Sequence, residues 1–170
     1  MKRPVIEGKS ALNWAWLSAA VVALDQLVKW YVVGSFGLYE IRAVAPFLDL
    51  TRLHNEGAAF SILADAGGWQ RWFFLALAAA IGVAIVLWLR SLPARGQYWL
   101  AVGLALILGG ALGNAWDRFA DGYVVDYLHF HWGERYFPAF NVADIAITTG
   151  AIMLIIDALL DSRRRRARVT

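Results

Sequence analysis

Two aspartates, Asp126 and Asp144, combine the residue type and the surroundings that acid–base chemistry requires. Asp126 lies in an apolar, strand-like run at residues 123–128, and Asp144 lies at the start of a later apolar segment. Two close carboxylates do not both ionise easily, so the pKa of one rises and the pair holds a proton between them. Such a pair can activate water with one carboxylate and protonate a leaving amine with the other.

Each aspartate also has a structural interpretation. Asn141 and Asp144 have the spacing of a capping box at the start of a helix, and this explains Asp144, taken alone, as well as catalysis does. Arg118 is a candidate ion-pair partner for Asp126. Catalysis is favoured because the two acids come from separate segments that the topology described below places at one depth in a membrane.

Other catalytic chemistries have weaker signals in this chain. The three histidines, His54, His129 and His131, lack the i,i+4 spacing of a helical metal site, and Ser61 has only His54 near it in sequence. The absence of cysteine excludes disulfides, thiolate catalysis and cysteine metal sites. We therefore expect a reaction that needs no metal and no cofactor.

The composition indicates a membrane protein. Of the 170 residues, 60% are hydrophobic and 17% are charged, against about 45–50% and about 25% in soluble domains. A chain of this length has too little interior to bury that excess. The net charge of +3 comes from basic residues at the ends of apolar runs, which favours membrane topology over nucleic-acid binding as its explanation.

Four apolar segments are long enough to cross a bilayer, since about 20 helical residues span its core of roughly 30 Å. We predict helix 1 at about residues 11–33, helix 2 at 69–90, helix 3 at 97–115 and helix 4 at 141–160. Outer loops occupy residues 34–68 and 116–140, and a basic cytoplasmic tail occupies 161–170. The chain is expected to be a single membrane domain.

The positions of Lys and Arg predict that both termini are cytoplasmic. With the N-terminus inside, the inner segments hold ten basic residues and the outer segments hold five. The inner residues are Lys2, Arg3, Lys9, Arg90, Arg95, Arg163, Arg164, Arg165, Arg166 and Arg168, and the outer ones are Arg42, Arg52, Arg71, Arg118 and Arg135. None of the nine tryptophans falls at a span centre, which is typical of rings at the headgroups. Asp126 and Asp144 then lie near the outer interface.

Two further features of the helices concern packing. Asp25 and Lys29 are four residues apart on helix 1, where we expect a supporting ion pair. Gly109 and Gly113 form a small-residue pattern that lets helices approach closely, either within one chain or between copies. We expect a monomer, although this pattern alone does not fix the oligomeric state.

The outer segments carry signals for a sheet. Residues 47–53 alternate partly between apolar and polar side chains, which favours a short strand. We expect residues 40–60 to form a small surface sheet and the aromatic-rich residues 120–137 to form a flap over the site. The predicted fold is therefore membrane α-helical, with four transmembrane helices, a small extracytoplasmic β-rich cradle and an outer-loop flap.

Five short motifs in the chain resemble those of the bacterial lipoprotein signal peptidases, the type II signal peptidases. In chain order they are DQLVK from Asp25, HNEGAAF from His54, GGALGNAWDR from Gly109, DGYVVDYL from Asp121 and FNVAD from Phe140. Each motif alone is a weak signal, whereas five in order on a four-span chain are specific.

The resemblance implies an intramembrane aspartyl endopeptidase that removes the signal peptide from diacylglyceryl-modified prolipoproteins, cutting just before the lipidated cysteine. It implies that Asp126 and Asp144 are the catalytic pair, with support from Asp25 and Lys29. The residues implied for substrate binding are Asn55, Gly57, Asn114, Arg118 and Asn141. The implied partners are this substrate and membrane lipid, without nucleic acid, and the implied location is the bacterial inner membrane with the active site at its periplasmic face.

Two other functions are compatible with these features. A small proton-coupled membrane transporter or channel subunit also needs acids in its spans. It predicts acids spread through the bilayer depth, whereas these acids lie on one side, with Asp157 as the exception. A non-catalytic membrane assembly factor predicts that amide replacement of Asp126 and Asp144 leaves function intact.

Overall fold

The computed structural model describes residues 10–57 and 67–166, with side chains up to residue 162. Within this part, four helices are long and apolar enough to cross a membrane. Several residues used in the sequence analysis lie outside the described residues: Ser61, residues 58–60 of the HNEGAAF motif, Lys2, Arg3, Lys9 and Arg168.

The four helices lie close to their predicted positions. A 3-10 turn, Ala11–Trp14, leads into α1, Ala15–Ser35, and the others are α2, Trp69–Ser91, α3, Tyr98–Ala120, and α4, Val142–Arg166. Helix α3 continues beyond the predicted end at residue 115 and ends at Ala120. Two residues later, Gly122 has a φ of +90°, which a helix does not continue through. The charged residues beyond the predicted end, Asp117 and Arg118, have partners inside the protein, so the helix extends through them. Helix α4 continues into the basic tail because arginine favours helices and basic charge favours their C-terminal ends.

The outer segments form one antiparallel sheet with strand order β1-β2-β3-β4. The strands are β1, Ile41–Ala45, β2, Leu48–Asn55, β3, Val124–Trp132, and β4, Arg135–Tyr136. The strand predicted at residues 47–53 is present within β2. The segment 120–137, predicted as a flap, is for the most part β3 and β4, and β3 pairs with β2 along its length. Its aromatic and β-branched residues suit a pleated, half-buried surface, which explains why the segment joins the sheet.

Strand β3 is fixed against the end of α1 by an apolar cluster. Val125 and Tyr127 are buried together with Val32 and Phe36. Successive side chains of a strand point to opposite faces, so Asp126, between Val125 and Tyr127, projects away from this cluster. Burial of its two neighbours therefore determines which way Asp126 points.

Helix α3 packs closely against α1 and α4 through glycines. A Cβ at Gly113 would lie 2.8 Å from Oδ2 of Asp25 on α1, and a Cβ at Gly110 would overlap the carbonyl oxygen of Ala143 on α4. Gly109 also faces α1 at close range. The small-residue pattern predicted from the sequence therefore packs within the chain.

The close contact at Gly110 predicts a specific effect of a methyl group. We expect Gly110→Ala to lower stability by about 1–3 kcal/mol, because α4 has to move away from α3. Gly82→Ala on α2 is the matched control, since its Cβ would meet only Leu108 Cδ1 at 3.6 Å and alanine is the better helix former. Thermal melts in detergent measure both variants. A Gly110→Ala variant as stable as Gly82→Ala would contradict this packing.

Candidate active site

Asp126 and Asp144 come together at the junction of the sheet and the helices. Asp126 is a buried residue of β3, and Asp144 is a half-buried residue in the first turn of α4. Both line a cavity of about 530 Å³. The two acids proposed from separate segments of the sequence therefore share one site.

Asn141 connects the two carboxylates. Its side-chain Nδ2 donates to Oδ1 of Asp126 at 2.7 Å, and its backbone N–H donates to Oδ2 of Asp144 at 3.2 Å. In return, the backbone N–H of Asp144 donates to Oδ1 of Asn141 at 3.0 Å. The capping box and the pairing of the two aspartates, which the sequence left as alternatives, thus occur together.

Two more amides hold the carboxylates. Asn55 Nδ2 donates to Oδ2 of Asp126 at 2.9 Å, so both oxygens of that carboxylate accept an amide hydrogen. Asn114 Nδ2 donates to Oδ1 of Asp144 at 2.8 Å. Three of the residues predicted to bind substrate therefore contact the aspartates themselves.

Arg118 lines the same cavity and contacts Gly57, and the described contacts include none between either residue and the two aspartates. The Nη2 group of Arg118 donates to the carbonyl of Gly57 at 2.6 Å, and its guanidinium lies 4.7 Å from the ring centre of Phe74. Among the described contacts, Arg118 makes no ion pair with Asp126, so the structural partner considered in the sequence analysis is not found. Helix α3 extends through residue 118, which directs the guanidinium toward the loop at Gly57.

The pKa of Asp126 is raised to about 7. Burial of the carboxyl group is the main cause, and the negative charge of Asp144 is the second. These effects outweigh the two amide hydrogen bonds, which favour the ionised form. At neutral pH this carboxyl group is therefore able both to hold and to release a proton.

The cavity extends from the aspartates along apolar walls. Phe74 of α2 lies on one side, Ile145 and Thr148 of α4 lie on the other, and residues 137–140 form a further wall. Because α2 and α4 both pack on α3, the cavity lies between two membrane-spanning helices. A largely apolar chain that comes from the bilayer can be accommodated there beside the carboxylates.

The ion pair predicted between Asp25 and Lys29 is present, with Nζ and Oδ2 2.8 Å apart. The sequence analysis missed its third member, Asp117, whose Oδ2 lies 2.7 Å from the same Nζ. Asp117 lies three residues after Asn114, on the same face of a helix. The predicted helix 3 ended at residue 115. A prediction that included residue 117 would have placed Asp117 on the same helix face as Asn114 and made it a candidate site residue.

The described contacts of the histidines are with residues other than Asp126 and Asp144. His131 Nε2 lies 3.5 Å from Oδ1 of Asp49, and His54 stacks on Tyr123 with ring centres 3.7 Å apart. In the part of the chain that the structure describes, no group of three or more potential ligands is arranged to hold a metal ion.

Comparison with known proteins identifies the class. The model of the signal peptidase (SPase) II family matches residues 17–160, so the chain belongs to the signal peptidase II family. It is similar to the protein named lipoprotein signal peptidase of Shewanella woodyi, with 49% identity over 150 residues that cover 88% of this chain and 85% of that protein. The protein of the same name from Pseudomonas syringae pv. tomato is 51% identical over 148 residues, which cover 86% of this chain and 85% of the relative.

Solved structures show the same fold. One, described as a bacterial membrane enzyme structure determined by the in meso method at 2.3 Å resolution, has a TM-score of 0.77 and 31% identity, and covers 88% of this chain and 89% of that chain. A second, with the same description at 1.9 Å resolution, has a TM-score of 0.72 and 30% identity, and covers 86% and 92%.

Asn141 both caps α4 and donates to Asp126, and substitutions can separate these two roles. Asn141→Ser keeps a good N-cap, since serine and asparagine cap helices about equally well, but removes the amide that donates to Asp126. We expect stability near that of the wild type and a loss of peptidase activity of about tenfold or more, as for a lost hydrogen bond to a charged group. Asn141→Ala should in addition lose about 1 kcal/mol of stability with the cap. Full activity of Asn141→Ser would show that the contact with Asp126 is dispensable.

Proposed function

We propose that this chain removes the signal peptide from diacylglyceryl-modified prolipoproteins and cuts just before the lipidated cysteine, as an intramembrane aspartyl endopeptidase. Membership of the signal peptidase II family supports the substrate class and the reaction. The observation that carries the mechanism is the contact of Asn141 with both carboxylates, which makes Asp126 and Asp144 one unit.

The two carboxylates have different roles in the proposed reaction. Asp144 is ionised and takes a proton from water, whose oxygen bonds to the scissile carbonyl carbon, while protonated Asp126 donates to the carbonyl oxygen. The C–N bond of the resulting gem-diol then breaks. Asp144 gives its proton to the leaving nitrogen of the cysteine, and Asp126 recovers a proton from a gem-diol hydroxyl. The pair thus returns to its initial state with one proton.

The raised pKa of Asp126 supports this assignment of roles. A carboxyl group whose pKa is about 7 holds a proton at neutral pH more readily than an ordinary aspartate. Asp144 is assigned the ionised role because it lies in the first turn of α4, where the positive end of the helix is nearest to a negative charge.

The neighbouring polar residues have two proposed tasks. Asn55, Asn114 and Asn141 orient the carboxylates through the amides described above. Arg118 lines the cavity where the substrate backbone is proposed to lie, and its hydrogen bond to the carbonyl of Gly57 holds it in place. Neutral amides hold the pair without adding a net charge to a site with little water.

The bacterial inner membrane is the proposed location, with both termini cytoplasmic and the site at the periplasmic face. Arg90 in the last turn of α2 and Arg95 in the connection that follows lie at the other end of α3 from Asn114 and the sheet. Basic residues favour the cytoplasmic side, so this arrangement supports a periplasmic site. The acyl chains of the substrate remain in lipid while the peptide bond meets the carboxylates near the interface. The enzyme acts as a monomer, because its small-residue faces are occupied within the chain.

The first test replaces each aspartate with its nearly isosteric amide. We expect Asp126→Asn and Asp144→Asn to fold and to lose cleavage by at least about a thousandfold, because neither water activation nor proton donation survives. Release of the signal peptide from a diacylglyceryl-modified prolipoprotein is followed by gel shift in detergent, with and without a metal chelator, and thermal melts report folding. Asp121→Asn, an exposed acid near the site, is the control and should cleave normally.

The outcomes of this test separate the alternatives. Cleavage by both folded variants would contradict the aspartyl mechanism and leave Asp144 as a helix cap only. A folded wild type that leaves the lipidated substrate uncut would contradict the peptidase function, and the transporter or channel alternative would then be tested by proton flux in liposomes.

The pH dependence of cleavage follows from the pKa of Asp126. Its protonated form is required, and this form is lost as the pH rises through about 7. We therefore expect kcat/KM to fall by about tenfold per pH unit on the alkaline side of that value. Initial rates between pH 5 and 9, corrected for the folded fraction at each pH, measure this limb. A rate that rises between pH 7 and 9 would contradict the assignment of the proton to Asp126.

A further inference from the structure

A buried ion cluster lies directly behind the two aspartates. Lys29 Nζ contacts Oδ2 of Asp25 at 2.8 Å, Oδ2 of Asp117 at 2.7 Å and Oδ1 of Asn114 at 3.0 Å. An ammonium group has three donors, so all three have an acceptor. Asp25, Lys29 and Asp117 are each almost completely buried. The geometry of this cluster is therefore fixed, because any lost contact would leave a charge without a partner.

Each carboxylate of the cluster also holds the backbone next to one catalytic aspartate. Asp117 Oδ2 accepts the N–H of Val125 at 3.3 Å, one residue before Asp126. Asp25 Oδ1 accepts the N–H of Ala143 at 2.9 Å, one residue before Asp144. The two elements that carry the aspartates, β3 and α4, are thus bound to one charged centre.

A side-chain path joins the same cluster to Asp144. Because an ammonium group only donates, the contact of Lys29 with Asn114 Oδ1 determines which end of that amide faces Asp144. The NH2 end of Asn114 therefore donates to Asp144. Asn141 Nδ2 also donates to Asn114 Oδ1, at 3.2 Å, so two donors hold the amide in this orientation.

Asp117 is the member that connects the cluster to β3. Asp25 and Lys29 lie four residues apart on α1 and can pair within that helix alone. Asp117 comes from α3 and reaches both Lys29 and the backbone of β3. Its second oxygen, Oδ1, accepts from Gln26 Nε2 at 2.7 Å, so both oxygens are engaged.

We propose that Asp117 is a positioning residue of the peptidase, which holds Lys29 and the Val125 backbone so that Asp126 and Asp144 meet in the reactive arrangement. This inference rests on the proposed aspartyl mechanism. Asp117 does not touch the substrate, and it acts through β3 on Asp126 and through Lys29 and Asn114 on Asp144. The alternative is that the cluster stabilises the fold and has no effect on the reaction.

The test compares Asp117→Asn with Asp121→Asn. Both remove one negative charge near the end of α3, but Asp121 is exposed and is no member of the cluster. We expect Asp117→Asn to lower kcat by about tenfold to a hundredfold, the loss that accompanies a small misplacement of catalytic groups. KM should change less than about twofold, because Asp117 does not itself line the substrate-binding cavity.

A pH profile distinguishes positioning from a purely structural role. The charged groups facing the cluster are Asp25 and Lys29 on α1, Arg118 on α3, Asp126 on β3 and Asp144 on α4. Loss of the negative charge at Asp117 removes a repulsion that acts on the two catalytic carboxylates, so it favours their ionised forms. The alkaline limb of kcat/KM should then move to lower pH. Asp117→Glu, which restores the charge with a longer side chain, should return the limb toward the wild-type pH while kcat stays reduced.

The following outcomes decide the proposal. A lower Tm for Asp117→Asn with wild-type kcat and an unmoved limb would overturn it, because the cluster would then serve folding alone. If Asp117→Asn does not fold, Asp117→Glu decides, and a wild-type kcat in that variant would overturn the proposal. Asp126→Asn and Asp144→Asn are assayed in parallel. Cleavage by those two variants would refute the aspartyl mechanism itself, whereas their inactivity beside a fully active Asp117→Asn would refute only the positioning role.

Discussion

The cost of a charge inside a membrane protein is the constraint on which this structure depends. Lys29 has its ammonium group on a membrane-spanning helix, where an unpaired charge is expensive. Two carboxylates and one amide oxygen surround it, and these come from α1 and α3. Helices α1 and α3 can therefore not separate without exposing the charge to lipid. The close approach of α3 to Asp25 at Gly113 is the steric counterpart of this electrostatic requirement.

The same constraint explains why the site is polar but mostly uncharged outside its two carboxylates. Amides of Asn55, Asn114 and Asn141 satisfy the carboxylate oxygens. A basic residue in the place of any of these amides would pair with an aspartate and favour its ionised form. The pair would then have no proton to donate. Neutral donors hold the geometry without adding a positive charge beside Asp126, whose pKa is raised by burial.

Much of the fold could be predicted from the sequence, because the spans, the helix cap and the pair on α1 are local patterns. The i,i+4 spacing of Asp25 and Lys29 and the capping spacing of Asn141 and Asp144 each correspond to a contact in the structure. The partners of Asp117 and Arg118 could not be predicted, because they depend on which helices and strands are neighbours in space. The pairing of β2 with β3, which joins segments separated by two helices, is non-local in the same way.

The shared use of Asn141 has a consequence for the order of events during synthesis. Asn141, whose hydrogen bonds with Asp144 start α4, also donates to Asp126 and so holds the two aspartates together. Asp144 follows three membrane-spanning helices in the chain, so a nascent chain that lacks the fourth cannot assemble the pair. Under the proposed mechanism, hydrolytic competence therefore arises only when the last span begins as a helix beside the sheet.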